Sequence, residues 1–195
     1  MKTQIFKIDS DNIDNTVINK AADIIKSGGL VAFPTETVYG LGGDGLNPSA
    51  SMKIYSAKGR PSDNPLILHI SDLSQLNRLV TEIPETAVKL ADHFWPGPLT
   101  MIFKKSDIVP KETSGGLDTV AIRFPEDKIA QALITASGTP IAAPSANTSG
   151  RPSPTRASHV EFDLSGKIDM IIDGGPCEFG LESTIVDVSG DVPCL

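Results

Sequence analysis

No part of this chain keeps one hydrophobic period for long. Short apolar runs alternate with amphipathic segments, and glycine or proline closes most of them. Residues 30–33 and 66–70 are apolar runs, the first ended by Pro34. Residues 12–27 place Ile13, Val17, Ala21 and Ile24 at helical spacing before the stop signal Gly28-Gly29. Asn47-Pro48 supplies an N-cap followed by a first-turn proline, which predicts a helix to about residue 57. Further helices are predicted over 72–79, 84–94 (Ala87, Leu90 and Ala91 inward), 127–137 (stopped by Gly138) and 157–164. Strands are predicted over 4–8, 99–103, 119–124, 141–143, 168–173 and 184–188. Such interleaving argues for an α/β fold. The hairpin-like pair 99–103 and 119–124 argues for a mixed rather than all-parallel sheet. The proline-rich stretch 144–156 reads as a loop, because too few residues follow it to build a second core.

Composition narrows the function classes. A chain of 195 residues suits one domain, or one with a small appendage, and 39% hydrophobic with 21% charged residues is ordinary for a globular protein. The formal net charge of −7 argues against RNA binding driven by overall charge, though a local cationic groove for an anionic small molecule is compatible with it. Cys177 and Cys194 give no disulfide framework and no Cys-x-x-Cys spacing, so both read as reduced thiols in a cytoplasmic protein. No apolar run approaches the ~20 residues that span a bilayer. Residues 1–10 alternate like a strand and lack the apolar centre of a signal peptide.

Two short motifs carry the chemistry. Lys58-Gly59-Arg60-Pro61 sets two cations two residues apart, so that an ammonium and a guanidinium fork can serve neighbouring phosphate oxygens. Ser145-Ala146-Asn147 sets a hydroxyl and an amide two apart in a turn-rich stretch. Taken singly, the first is an ordinary solvated pair and the second ordinary turn chemistry. Gly40-Leu41-Gly42-Gly43-Asp44-Gly45 satisfies Gly-x-Gly-x-x-Gly, but it follows the strand too late and precedes the helix too early for a dinucleotide site. It reads instead as flexible backbone around a cleft.

With Pro34-Thr35-Glu36-Thr37-Val38-Tyr39-Gly40-Leu41-Gly42 added, the chain resembles the YrdC-type threonylcarbamoyl-AMP synthases. Phe94-Trp95-Pro96-Gly97-Pro98-Leu99-Thr100, Val120-Ala121-Ile122-Arg123 and Leu181-Glu182-Ser183-Thr184-Ile185-Val186-Asp187 match in the same order. The resemblance implies a twisted mixed sheet curved around a concave nucleotide and threonine site. It also implies formation of threonylcarbamoyl-AMP and pyrophosphate from L-threonine, bicarbonate or CO2, and ATP. That product would pass to a tRNA threonylcarbamoyl transferase complex. By the same resemblance Arg60, Asn64, Thr119, Ser145 and Ser153 match ATP contacts, with Lys58 as partner cation and Asn147 nearby. Thr37, His69, Arg123, Ala143 and Ser183 match threonine contacts, and Glu36 and Tyr39 are further candidates for that pocket. Lys58 and Arg60 are the expected stabilisers of developing phosphate charge. Magnesium would ride on ATP, since three scattered histidines and no carboxylate cluster offer it no site.

Each residue also has a plainer reading. Thr37 suits a strand edge and His69 a packed core histidine. Arg123, closing an apolar strand, needs an anion that an internal Asp or Glu could equally supply. Trp95 suits the core or a hinge better than a stacking platform. Two other functions fit the same motifs: a non-catalytic RNA- or ribosome-binding module, and the carbamoyl-transfer module of hydrogenase maturation. The chain stops at Val192-Pro193-Cys194-Leu195, where the resemblance implies a basic Arg-Pro-Gly turn and, in longer members, a second domain. A single domain over 1–195, without its C-terminal end, is therefore expected.

Overall fold

A computed structural model describes residues 2–195. The alternating pattern read over 1–10 begins at Met1, which lies outside them. In chain order the elements are β1 (Gln4–Lys7), α1 (Asn15–Lys26), β2 (Val31–Phe33), β3 (Gly40–Asp44), α2 (Pro48–Lys58) and β4 (Ile67–His69). Next come α3 (Leu73–Leu79), α4 (Glu85–Phe94), β5 (Leu99–Lys104), β6 (Thr119–Arg123) and α5 (Lys128–Ser137). The order closes with β7 (Ile141–Ala142), α6 (Ala157–Leu164), β8 (Met170–Asp173) and β9 (Thr184–Asp187). All nine strands join one sheet in the order β1-β8-β2-β3-β7-β4-β6-β5-β9. Pairing is mixed, with β5 and β6 antiparallel as expected and β4 with β6 parallel.

Capping chemistry sets the helix limits. Asp14 and Asn47 accept from backbone N–H groups two residues on, and Gly59 ends α2 at φ 62°, where a side chain would be strained. α1 starts three residues later than its periodicity suggested, and its buried stripe is Ile18, Ala21, Ala22 and Ile25.

Period-two alternation sends each strand's side chains to two faces. On one face Val31, Phe33, Met170 and Ile172 pack beneath α1 and α5 through Ile18, Ile25, Leu133 and Ile134. On the other, Ala32, Leu41, Leu68, Met101, Phe103, Val120, Ile122 and Ile171 form a larger core with Ile54, Leu76, Leu79 and Val160. Each fully buried Leu, Ile or Phe contributes roughly 1.5–3 kcal/mol, so the two layers fix the sheet firmly. The helical cover of the first face does not extend over β4, β6, β5 and β9. That uncovered part becomes the floor of a cavity.

The glycine-rich segment 40–45 corrects the expectation of flexible backbone, because most of it is β3, paired with β2 and β7 and buried. A Cβ at Gly42 would lie 2.8 Å from the Phe33 ring and 2.9 Å from Ile141. Glycine is needed here for close packing rather than for mobility.

The N-cap of α5 yields a pH-dependent prediction. Asp127 Oδ1 accepts from the Ala130 N–H at 2.9 Å, yet burial, opposed by that bond, lifts its carboxyl from 3.8 to about 6. Between those values the folded state holds a proton that the unfolded state has lost. The contribution therefore favours folding below about pH 4 and is lost as pH rises through 6. Asp127→Asn keeps the cap without the buried charge, and should gain about 2–3 kcal/mol at pH 7 that shrinks towards zero near pH 4. Thermal melts from pH 4 to 8 test this, and a pH-independent difference would refute it.

Candidate active site

The cavity encloses about 280 Å³. Its floor follows from the register of the uncovered strands. Ile67 and His69 of β4 lie beside Ala121 and Arg123 of β6, which lie beside Ile102 and Thr100 of β5. Ile185 of β9 continues the row. Three loops raise the walls: Thr35 to Val38 after β2, Arg60 to Pro65 after α2, and Ala143 to Ser145 after β7. Glu182 and Ser183, just before β9, complete the rim. Larger depressions beside α1, one of about 570 Å³, are open and lined by that helix's outer residues. They gather no comparable set of buried polar groups.

At the inner end, Arg123 is 4% exposed and held on three sides. Its Nη2 pairs with Glu36 Oε1 at 2.5 Å, Nη1 donates to Thr37 Oγ1 at 2.8 Å, and Nε donates to Gly97 O at 3.2 Å. Three of the five guanidinium N–H groups are thereby committed, and the rest remain for a ligand. The internal acidic partner foreseen as the plainer reading is therefore real. Arg123 both pairs with Glu36 and lines the cavity. Glu36 Oε2 is the only buried side-chain polar atom among the described residues without a hydrogen-bond partner.

His69, beside Arg123, is fully enclosed and stacks edge-on against Phe33 at 6.4 Å. Burial, reinforced by the Arg123 charge, lowers its pKa to about 3. It is thus a neutral imidazole, able to hydrogen-bond a ligand but not to act as a cation. Thr37, Ala143 and Ser183 share this end, and Ser183 Oγ lies 2.7 Å from Thr100 Oγ1. Tyr39 does not line the cavity: its hydroxyl is turned away to donate to Gly175 O at 2.6 Å. Trp95 packs against the core and donates from Nε1 to Leu99 O at 2.7 Å, away from any stacking role.

The outer end carries Arg60, Asn64 and Ser145. Arg60 Nη2 donates to Asn64 Oδ1 at 2.5 Å and to Pro65 O at 3.0 Å, which fixes the fork against its own turn. Lys58 departs from the expected geometry. The residue is 2% exposed and is not part of the cavity wall. It donates to Ser145 O and, at 2.6 Å, to Asn147 O. Burial first, then Arg60, lowers its pKa to about 8. An ammonium this deep needs acceptors, and the loop's carbonyls supply them. Lys58 therefore fastens Ser145 in place. Asn147 is likewise internal, donating to Arg151 O at 2.7 Å.

Two further residues stand outside the enclosed space. Thr119 shares its strand face with Ala121 and Arg123 but lies beyond the lining. Ser153 donates to Glu182 Oε1 at 2.6 Å across the rim. Glu182 is a rim residue that sequence reasoning did not single out, although it sits in the matched Leu181 to Asp187 segment. Among the described residues no three His, Cys, Asp or Glu side chains gather as a metal site, and no helix is long and apolar enough to cross a membrane.

Comparison with known proteins agrees with this architecture. The chain is 55% identical over 185 residues to the threonylcarbamoyl-AMP synthase of Pyrococcus abyssi, covering 95% of this chain and 54% of that protein. It is 52% identical over 199 residues to the Bacillus subtilis enzyme of that name, covering 100% and 58%. The crystal structure of P. abyssi Sua5 complexed with L-threonine superposes with a TM-score of 0.96 at 54% identity, over 98% of this chain and 56% of that one. The chain thus spans about half the length of the curated relatives it matches. The Sua5–YciO–YrdC family model, described as "Telomere recombination", matches residues 23–195, and the chain belongs to that family.

Proposed function

We propose that this domain forms threonylcarbamoyl-AMP from L-threonine, bicarbonate or CO2, and ATP, as the names of its relatives suggest. The observation that carries the reading is one cavity with a buried, pre-oriented guanidinium at its inner end and a cationic turn at its mouth. Arg123 would take the threonine carboxylate with its uncommitted N–H groups. Neutral His69 and the hydroxyls of Thr37 and Ser183 would orient the amine and side chain without adding charge. The amine captures CO2 to give a carbamate, whose oxygen attacks the α-phosphorus of ATP and expels pyrophosphate. Arg60, Asn64 and Ser145 would hold the phosphates, and Lys58 would act by fixing Ser145.

The enclosed volume is at the small end of the ~300–1,000 Å³ usual for ligand pockets, so an amino acid fits inside and a nucleotide extends beyond. The face leading to Thr119 is the natural track for it. Magnesium would arrive on the nucleotide and help neutralise its phosphates. Positioning two substrates in line supplies most of the rate in such a scheme, which asks no side chain to become a nucleophile. In this reading the enzyme is a cytoplasmic nucleotidyltransferase whose product goes to tRNA modification. Pyrophosphate release should require both L-threonine and bicarbonate when each is omitted in turn. Threonine-independent ATP hydrolysis, with no adenylate product by mass, would overturn the assignment.

A further inference from the structure

Among the described residues Glu182 is the only carboxylate in the cavity wall, and it sits among groups suited to an anion. The backbone on both sides of it is pinned. Phe179 N–H donates to Glu36 O at 2.9 Å, Gly180 N–H to Thr37 O at 3.0 Å, and Thr184 N–H to Pro98 O at 3.0 Å. The side chain itself is exposed and restrained by one bond, from Ser153 Oγ. That bond joins two loops 29 residues apart in sequence at the cavity rim. No cation lies within ion-pair distance of Glu182 among the described residues, yet its charge is felt by Arg60 and Lys58, whose affinity for protons it raises. A negative charge here opposes an incoming polyphosphate unless it can move. An exposed side chain with one hydrogen bond moves at little cost.

We propose that Glu182 is the resident counter-anion of the cationic end, displaced when a polyphosphate binds beside Arg60. Displacement also frees the Ser153 hydroxyl, which then has a phosphate oxygen as its next acceptor. The nucleotide identity of that ligand rests on the proposed function above, whereas the counter-anion role needs only the phosphate chemistry.

Calorimetric titration of the 195-residue chain and of E182Q and E182D with inorganic pyrophosphate and with ATP, in magnesium-free buffer, separates the two. E182Q keeps the acceptor for Ser153 but removes the charge, and should bind both anions about threefold tighter or more. E182D keeps the charge and should stay within about twofold of the parent. Unchanged or weaker anion binding by E182Q, or equal tightening in E182D, overturns the role. Tighter pyrophosphate binding by E182Q with no ATP binding by any form would sustain Glu182 as counter-anion and refute the nucleotide. No binding of either anion to any form would refute both.

Discussion

Arg123→Ala is expected to cost about 3–5 kcal/mol of folding stability and to abolish threonine binding, because it strands a buried carboxylate. Glu36 is 5% exposed, and one of its oxygens already lacks a partner. Removing the guanidinium would leave the other unpaired as well. A buried ion pair is weak evidence for net stability, however, since apolar groups of similar volume often replace it without loss. The double variant Glu36→Leu with Arg123→Met should therefore recover most of the lost stability. It should not recover the ligand. Denaturant unfolding with calorimetric threonine titration on the same samples measures both. Undiminished stability of Arg123→Ala, or normal threonine binding by the double variant, would show that the pair is not what prepares this end of the cavity.

Lys58→Met and Arg60→Ala should part company in the opposite sense to their adjacency. Met fills the space of Lys58 but donates nothing to Ser145 O and Asn147 O. Leaving two enclosed carbonyls unpaired costs about 2–4 kcal/mol, and the loop that presents Ser145 should loosen. Arg60 is partly exposed and bonded to its own turn, so its loss should cost about 1 kcal/mol or less while removing the proposed phosphate fork. Both variants should lose ATP turnover by about a hundredfold or more, the first by loosening the site and the second by emptying it. Melting temperatures decide the matter. If the two variants melt together, Lys58 does not hold the loop as its hydrogen bonds indicate.

Much of the architecture was legible in the sequence because local rules and packing agree there. The Asn47-Pro48 start of α2, the Asp127 and Gly138 limits of α5, and the pairing of β5 with β6 all follow from capping and alternation. β3 was not legible. Glycine is a poor strand former, and nothing local announces that Phe33 and Ile141 leave no room for a Cβ. The α1 stripe was legible largely at its edge: Ile13, Val17 and Ile24 are half-buried against the core, while the packing partner that buries Ile18 and Ile25, α5, lies more than a hundred residues away. In the cavity, residue types could be read but not their commitments. Lys58 and Arg123 are both cations in matching motifs. Only the folded chain reveals that one faces carbonyls while the other shares itself between Glu36 and open space.

The order of strands in the sheet also has a temporal side. β8 lies between β1 and β2, and β9 completes the floor beside β5, so neighbours in space are made far apart in time. On the ribosome, β1 must wait for residues 170–173 before it has a partner, the rim waits for Glu182 and Ser183, and the floor for Ile185. Such distant pairings are slow to form, since loop closure must precede any contact that rewards it. A nascent chain would therefore carry Arg123, His69 and Arg60 without a vessel to hold them, and ligand capture would begin only as β9 docks.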